Sequence, residues 1–134
     1  MDMAKVNERV IAQFRAGGEV DGMHRDRMLL LTTTGRRTGG PHTTPMMALH
    51  DGEQLLVVAS ANGAPAHPAW FLNLAADPHV HVETPDDEFD AVARILNGAE
   101  RAREWSVITA AAPFFDDHQA QVDRQIPVVV LERA

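Results

Sequence analysis

The spacing of apolar and polar residues divides the chain into helices and short strands. Val6, Val10, Ile11 and Phe14 recur at helical spacing, with Lys5, Glu8, Arg9 and Gln13 on the other faces. Residues 3–16 therefore predict an amphipathic helix, which Gly17 and Gly18 stop. An apolar run over 28–31, followed by Thr32, Thr33 and Thr34, predicts a strand over about 27–34, because β-branched side chains suit a pleated surface. Gly35, Gly39, Gly40 and Pro41 break it. A second strand is expected over about 42–50. Asp51-Gly52 signals a hairpin, and a third strand follows over about 54–60. These three segments read as a continuous antiparallel meander.

Asn62-Gly63, Pro65 and Pro68 make residues 61–70 irregular. Pro68 suits the start of a helix carrying Trp70, Phe71, Leu74 and Ala75 on one side and ending at Asp77-Pro78. Val80 and Val82 alternate with His79 and His81, which predicts a strand over 79–84. Asp86-Asp87 turns the chain, and Phe89, Ala91, Ala93 and Ile95 alternate along a strand over 88–97. Residues 99–111 predict a helix with Trp105, Ile108 and Ala112 on its apolar face and Pro113 as its break. Residues 114–122 predict a shorter helical piece, and VVVLE after Pro127 a last strand. Six strands with hairpin connections and a few helices make an α+β domain. A small antiparallel barrel with flanking helices is its natural closure.

Composition narrows the chemistry. A chain of 134 residues fits one domain, 1–134, able to bury a core without staples. The absence of cysteine removes disulfides, thiolate metal sites and cysteine nucleophiles. The polar start of the chain lacks an apolar secretory segment, and no apolar run reaches the ~18 residues of a membrane span, so a cytoplasmic protein is expected. The first helix reads as a cap on the domain, with peripheral contact with a membrane surface or a place at a substrate entrance as the sharper alternative. A formal net charge of −7 argues against nucleic acid as a partner. Arg25, Arg27, Arg36 and Arg37 nevertheless gather in the first third of the chain. An acidic protein with one basic patch suits a small anionic ligand.

The loop after the first strand is where that patch meets glycine. Arg36, Arg37, the neighbouring threonines and glycine-freed backbone N–H groups suit a phosphate-bearing ligand, because guanidinium forks match phosphate oxygens. A hairpin with two solvated arginines is the plainer alternative. The seven histidines lack cysteine or patterned carboxylates beside them, so no metal site is expected. Ser60 and Ser106 lack the G-x-S-x-G context of a nucleophile elbow. Neither a Walker loop nor a G-x-G-x-x-G fingerprint occurs.

TTTGRRTG, VVASANGAPAHPAWFLNLAADP and DRQIPVVVLER, taken in order, resemble the deazaflavin-dependent nitroreductase family across nearly the whole chain. These are small split β-barrel proteins, related to the FMN-binding barrels, that bind coenzyme F-420. The resemblance implies such a barrel, a deazaflavin held in a groove, and hydride transfer to an electron-poor acceptor such as an enone, quinone or nitro compound. The family's G-R-K-S-G loop matches Gly35, Arg36, Arg37, Thr38 and Gly39, which would hold the phosphate and glutamate tail. His42 stands where the family has its next basic residue. Thr44, Pro45, Met46 and Met47 match the strand along the ring. Ser60, Ala61, Asn62, Gly63, Ala64, Pro68 and Trp70 match the loop bordering the cofactor, and Asn73 the asparagine that follows.

The chain departs from the family in two places. Two loop lysines are Ala61 and Ala66, which should weaken the hold on a polyanionic tail. Tyrosines that face the substrate in relatives are Ala112, Phe115 and His118, and the chain has no tyrosine at all. His118 is the one candidate proton donor in this segment, with a side chain outside it or water as the other sources and a plain surface histidine as the alternative reading. Residues 112–119 are expected to form a mobile cover on the substrate side, with Ala112, Phe114 and Phe115 facing a small hydrophobic acceptor, or else Phe114 and Phe115 plug the barrel end. The departures keep a non-enzymatic F-420 carrier or lipid/quinone-binding protein open, as does an FMN protein on the same fold. The chain is read as a monomer or homodimer.

Overall fold

The computed structural model describes residues 3–134. Seven strands form one curled antiparallel sheet in the order β2-β1-β5-β6-β7-β4-β3. They are β1 (Met28–Thr34), β2 (Pro41–Met47), β3 (Leu49–Asp51), β4 (Gln54–Val58), β5 (His79–Glu83), β6 (Glu88–Ile95) and β7 (Val128–Arg133). Four helices accompany them: α1 (Met3–Arg15), α2 (Ala69–Ala76), α3 (Gly98–Ala111) and α4 (Phe114–Ala120).

The four-residue apolar runs of β1 and β7 reflect strands buried on both faces. Leu29, Leu31, Val129 and Leu131 point into the curl with Leu55, Val57, Val80, Val82, Ala91 and Ala93, and Phe71 and Leu74 of α2 fill its centre. On the outside, Val10 and Phe14 of α1 cover Met28 and Leu30. Ile108 and Phe115 of α3 and α4 cover Leu56, Val128 and Val130. Each such fully buried side chain contributes roughly 1.5–3 kcal/mol of transfer free energy. The outward residues of β5 and β6 are half-buried or exposed, so those strands alternate. Val80 and Val82 are buried, whereas the outward His81 lies opposite Asp90, its Nδ1 2.8 Å from Asp90 Oδ1.

Three expectations need correction. The strand expected over 42–50 is two strands, β2 and β3, parted at Ala48, whose N–H donates to Arg27 O at 2.9 Å. The first segments are not a meander: β2 pairs with β1, while β3 and β4 pair at the opposite end of the sheet. That crossing curls the sheet and brings β2 towards β4. Finally, residues 112–119 are not a mobile cover. Phe114–Ala120 is helical, Ala112 and Phe115 are 3% and 5% exposed inside the α3–α4 core, and Trp105 Nε1 donates to Asp116 Oδ1 at 3.1 Å. No helix among the described residues is long and apolar enough to cross a membrane.

Candidate functional site

The β1–β2 hairpin carries the arginines in a loop built around Gly35. Gly35 N donates to Gly40 O and Gly39 N to Gly35 O, each at 2.8 Å, and Gly39 takes φ +73°, a left-handed value that glycine adopts freely. Thr38 Oγ1 accepts from Gly40 N at 3.2 Å and lies 3.1 Å from His42 Nε2. A Cβ on Gly35 would sit 2.5 Å from His42 Nε2 and 2.6 Å from Thr38 Oγ1, so any larger residue there must displace these two side chains. Arg36 is fixed from across the curl. Asn73 Oδ1 on α2 accepts from Arg36 N at 3.2 Å and from its Nη1 at 3.1 Å. Arg36 and Arg37 are exposed, and neither pairs with a carboxylate among the described residues. Together with Ala69, these groups line a recess of about 260 Å³.

A larger cleft of about 510 Å³ lies further along the same two elements. Pro45, Met46 and Met47 of β2, Val58 of β4 and Trp70 of α2 line it on one side, and Ser60, Ala61 and Asn62 on another. Val6, Asn7 and Val10 of α1, with residues 21–23, form its roof, and Phe114, Phe115 and His118 close the α4 end. His118 Nδ1 lies 3.3 Å from Ser60 Oγ, and the ring packs against Phe114 and Phe115 at centroid distances of 5.6 and 6.0 Å. Phe114 is 43% exposed, whereas Phe115 shows the cleft only an edge of a core ring.

The loop wall of this cleft has an unusual backbone. Ala61, Asn62 and Gly63 run consecutively through φ values of 49°, 55° and 78°. Gly63 packs beneath α4, where a Cβ would meet Gln121 Oε1 at 2.7 Å. One arginine holds the loop from behind. Arg124 donates to Ala59 O at 3.1 Å, Ser60 O at 2.8 Å and Ala64 O at 3.1 Å, and its Nη1 lies 3.1 Å from His67 Nδ1. Burial, and then the adjacent Arg124 charge, hold the His67 imidazole below its ordinary value, which keeps Nδ1 free to accept.

Most residues expected at the site thus gather in these two recesses. Gly39, Thr44, Gly63, Ala64, Pro68 and Ala112 line neither: Gly39, Gly63 and Ala64 shape the loops, and Pro68 starts α2, with its carbonyl accepting from Phe71 N at 3.1 Å. Arg124 and His67 were not expected there, and α1, expected as a cap on the domain, lies where a substrate-entrance helix would. The DRQIP segment was the one sequence signal for Arg124. A more open hollow of about 560 Å³ is lined by Thr32, Thr33, Thr34, Pro41, His79, Val80, His81, Asp90 and Ala91, and holds neither an arginine nor an aromatic side chain.

The family model described as F420H(2)-dependent quinone reductase matches residues 5–133. The chain belongs to this family. It is 37% identical over 108 residues to an F420H(2)-dependent quinone reductase of Mycobacterium tuberculosis, a match covering 78% of this chain and 72% of that protein. Among solved structures, an F420-H2 dependent reductase (FDR-A) superposes with a TM-score of 0.73 at 36% identity, covering 83% of this chain and all of that one. A domain-swapped dimer gives a TM-score of 0.75 at 34% identity, covering 97% and 98% of the two chains. The α+β split-barrel architecture agrees with that membership.

Proposed function

We propose that this protein is a coenzyme F-420-dependent oxidoreductase that reduces a quinone-type acceptor. The observation carrying this reading is that β2 and α2 each serve both recesses. His42 and Asn73 stand at the cationic one, and Met46, Met47 and Trp70 at the apolar one. A flat ring joined to a phosphate-bearing chain has the same two-part chemistry. The donor set fits: Arg36, Arg37, Thr38 and His42 would hold the anionic part, and the methionines and Trp70 the ring. Ala61 and Ala66 supply no cation, so the charge facing the tail comes from the 35–42 loop.

The reduced deazaflavin, when bound, supplies the hydride. The chain's own residues orient and shield. Met46, Met47 and Trp70 fix the plane of the ring, and Val6, Val10 and Phe114 exclude water from the acceptor side. A quinone gains one hydride and one proton to become a hydroquinone. His118, oriented by Ser60, holds that proton at its outer nitrogen, within a cleft that has no tyrosine.

Titration with F-420 and separately with FMN, followed by fluorescence, tests the reading. Saturable binding of F-420, lost when Arg36 and Arg37 are both changed to alanine, is expected. Preferential binding of FMN would overturn it.

A further inference from the structure

We propose that Arg124 is a positioning residue for the cofactor: it never touches the ligand but holds the 59–67 loop in the one shape that completes the cleft. The inference rests on the F-420 reading above.

Three consecutive residues of that loop, 61–63, have left-handed backbone. For Ala61 this is a conformation that L-residues rarely adopt and that persists only when the surroundings impose it. Gly63 packs under α4 and Ala59 N donates to Pro127 O at 3.0 Å, but the side chain that ties both ends of the stretch together is the Arg124 guanidinium. Its contacts fall on both sides of the left-handed stretch, on the carbonyls of Ala59 and Ser60 before it and on Ala64 and His67 after it. The planar fork spans these acceptors together, which an ammonium cannot do. Arg124 is itself preset. Gln119 Nε2 donates to Arg124 O, and Gln119 Oε1 accepts from Ile126 N, both at 2.8 Å, so the arm leaves a segment fixed to α4. His67, whose ring packs 4.8 Å from Phe71 of α2, anchors the far end of the clamp in the barrel core.

The clamp determines what the cleft sees. With 59–60 and 64 drawn back to Arg124, the loop between them presents Ser60, Ala61 and Asn62 to the cleft and sets Ser60 Oγ beside His118. Without it, the Ala59 and Ala64 carbonyls lose their donor, Ser60 O keeps only the Gly63 N–H, and Ala61 can relax to negative φ, which moves the cleft wall.

Arg124→Lys keeps the charge and removes the fork. It should weaken F-420 binding roughly tenfold or more, since small misplacements are costly in a preorganised site. Ala61→Gly in the same background should recover part of that loss, because glycine takes the left-handed backbone freely. Hydrogen–deuterium exchange of the unliganded variant should show faster uptake confined to 59–67, while the barrel strands stay protected. Unchanged F-420 affinity together with unchanged uptake in 59–67 would overturn the proposal. So would a loss of protection spread evenly over the chain, which would mark Arg124 as a general stability element. If the unsubstituted protein does not bind F-420, the functional reading fails. The exchange pattern, which needs no cofactor, then still decides whether the clamp exists.

Discussion

Asn73 Oδ1 on α2 accepts two hydrogen bonds from Arg36 on the β1–β2 loop, one from its backbone N–H and one from its guanidinium. Asn73 Nδ2 meanwhile donates to Thr33 Oγ1 at 3.2 Å, and the side chain is 5% exposed. A helix in the centre of the curl thus sets the aim of the first arginine of the cationic recess. Asn73→Ala should leave Thr33 and Arg36 N–H without their partner and destabilise the fold by about 1–3 kcal/mol. It should also lower F-420 affinity. Asn73→Asp should weaken the cofactor more than it weakens the fold, because its charge neutralises Arg36 where the anion would sit. Thermal melts and fluorescence titration of both variants check the two effects separately.

Gly35→Ala is expected to act on the cofactor. Its backbone φ is not in the left-handed region, so the new methyl clashes with His42 and Thr38 rather than straining the chain. His42 must leave Thr38 Oγ1, and the cradle opens. F-420 affinity should fall, while the hairpin register from Thr34↔Pro41 to Met28↔Met47 persists. An affinity equal to the parent protein would show that the Thr38–His42 contact is not part of the cradle.

Phe114 and Phe115 separate surface from core. Adjacent helical positions point about 100° apart, so one ring faces the cleft and the next the α3–α4 core. Phe115→Ala should cost about 3–5 kcal/mol of stability. Phe114→Ala should cost less than 1 kcal/mol and instead raise the KM for an apolar acceptor. Denaturant unfolding and steady-state kinetics on the pair test this split.

A buried carboxyl gives the fold a pH dependence. Glu104 on α3 is 3% exposed, its Oε2 has no hydrogen-bond partner, and burial, followed by Asp51, pushes its pKa above the ordinary 4.5. The folded state therefore holds this proton more tightly than the unfolded state. Its contribution is favourable below about pH 4.5 and is lost as pH rises through the raised folded value. Glu104→Gln should remove that slope and leave the protein more stable by on the order of 1 kcal/mol above the window. Melting temperatures across the acid-to-neutral range measure both.

The elements themselves were legible because each has its own periodicity. The apolar runs of β1 and β7 marked strands, though not that both their faces are covered, and the alternation of His79, Val80, His81 and Val82 marked a strand with one apolar face. Local periodicity does not reveal which strands lie side by side, so the passage of β2 into β3 from one end of the sheet to the other was read as a simple meander. The cationic loop was legible from its glycines and arginines. The roof was legible only as one alternative for the first helix, since Val6 and Val10 look the same whether a helix covers a core or a cleft. The role of Arg124 was not legible, because a single arginine in an irregular segment has no pattern, and its acceptors lie about 60 residues away.

The most direct measurement of the central claim is a single-turnover experiment. Reduced F-420 bound to the protein is mixed with a soluble quinone, and the return of the oxidised deazaflavin's absorbance is followed. Reoxidation far faster than without protein is predicted. His118→Ala should slow it with F-420 affinity unchanged. Tight binding of reduced F-420 with no acceleration by any quinone would contradict the account and leave the protein a carrier of its cofactor.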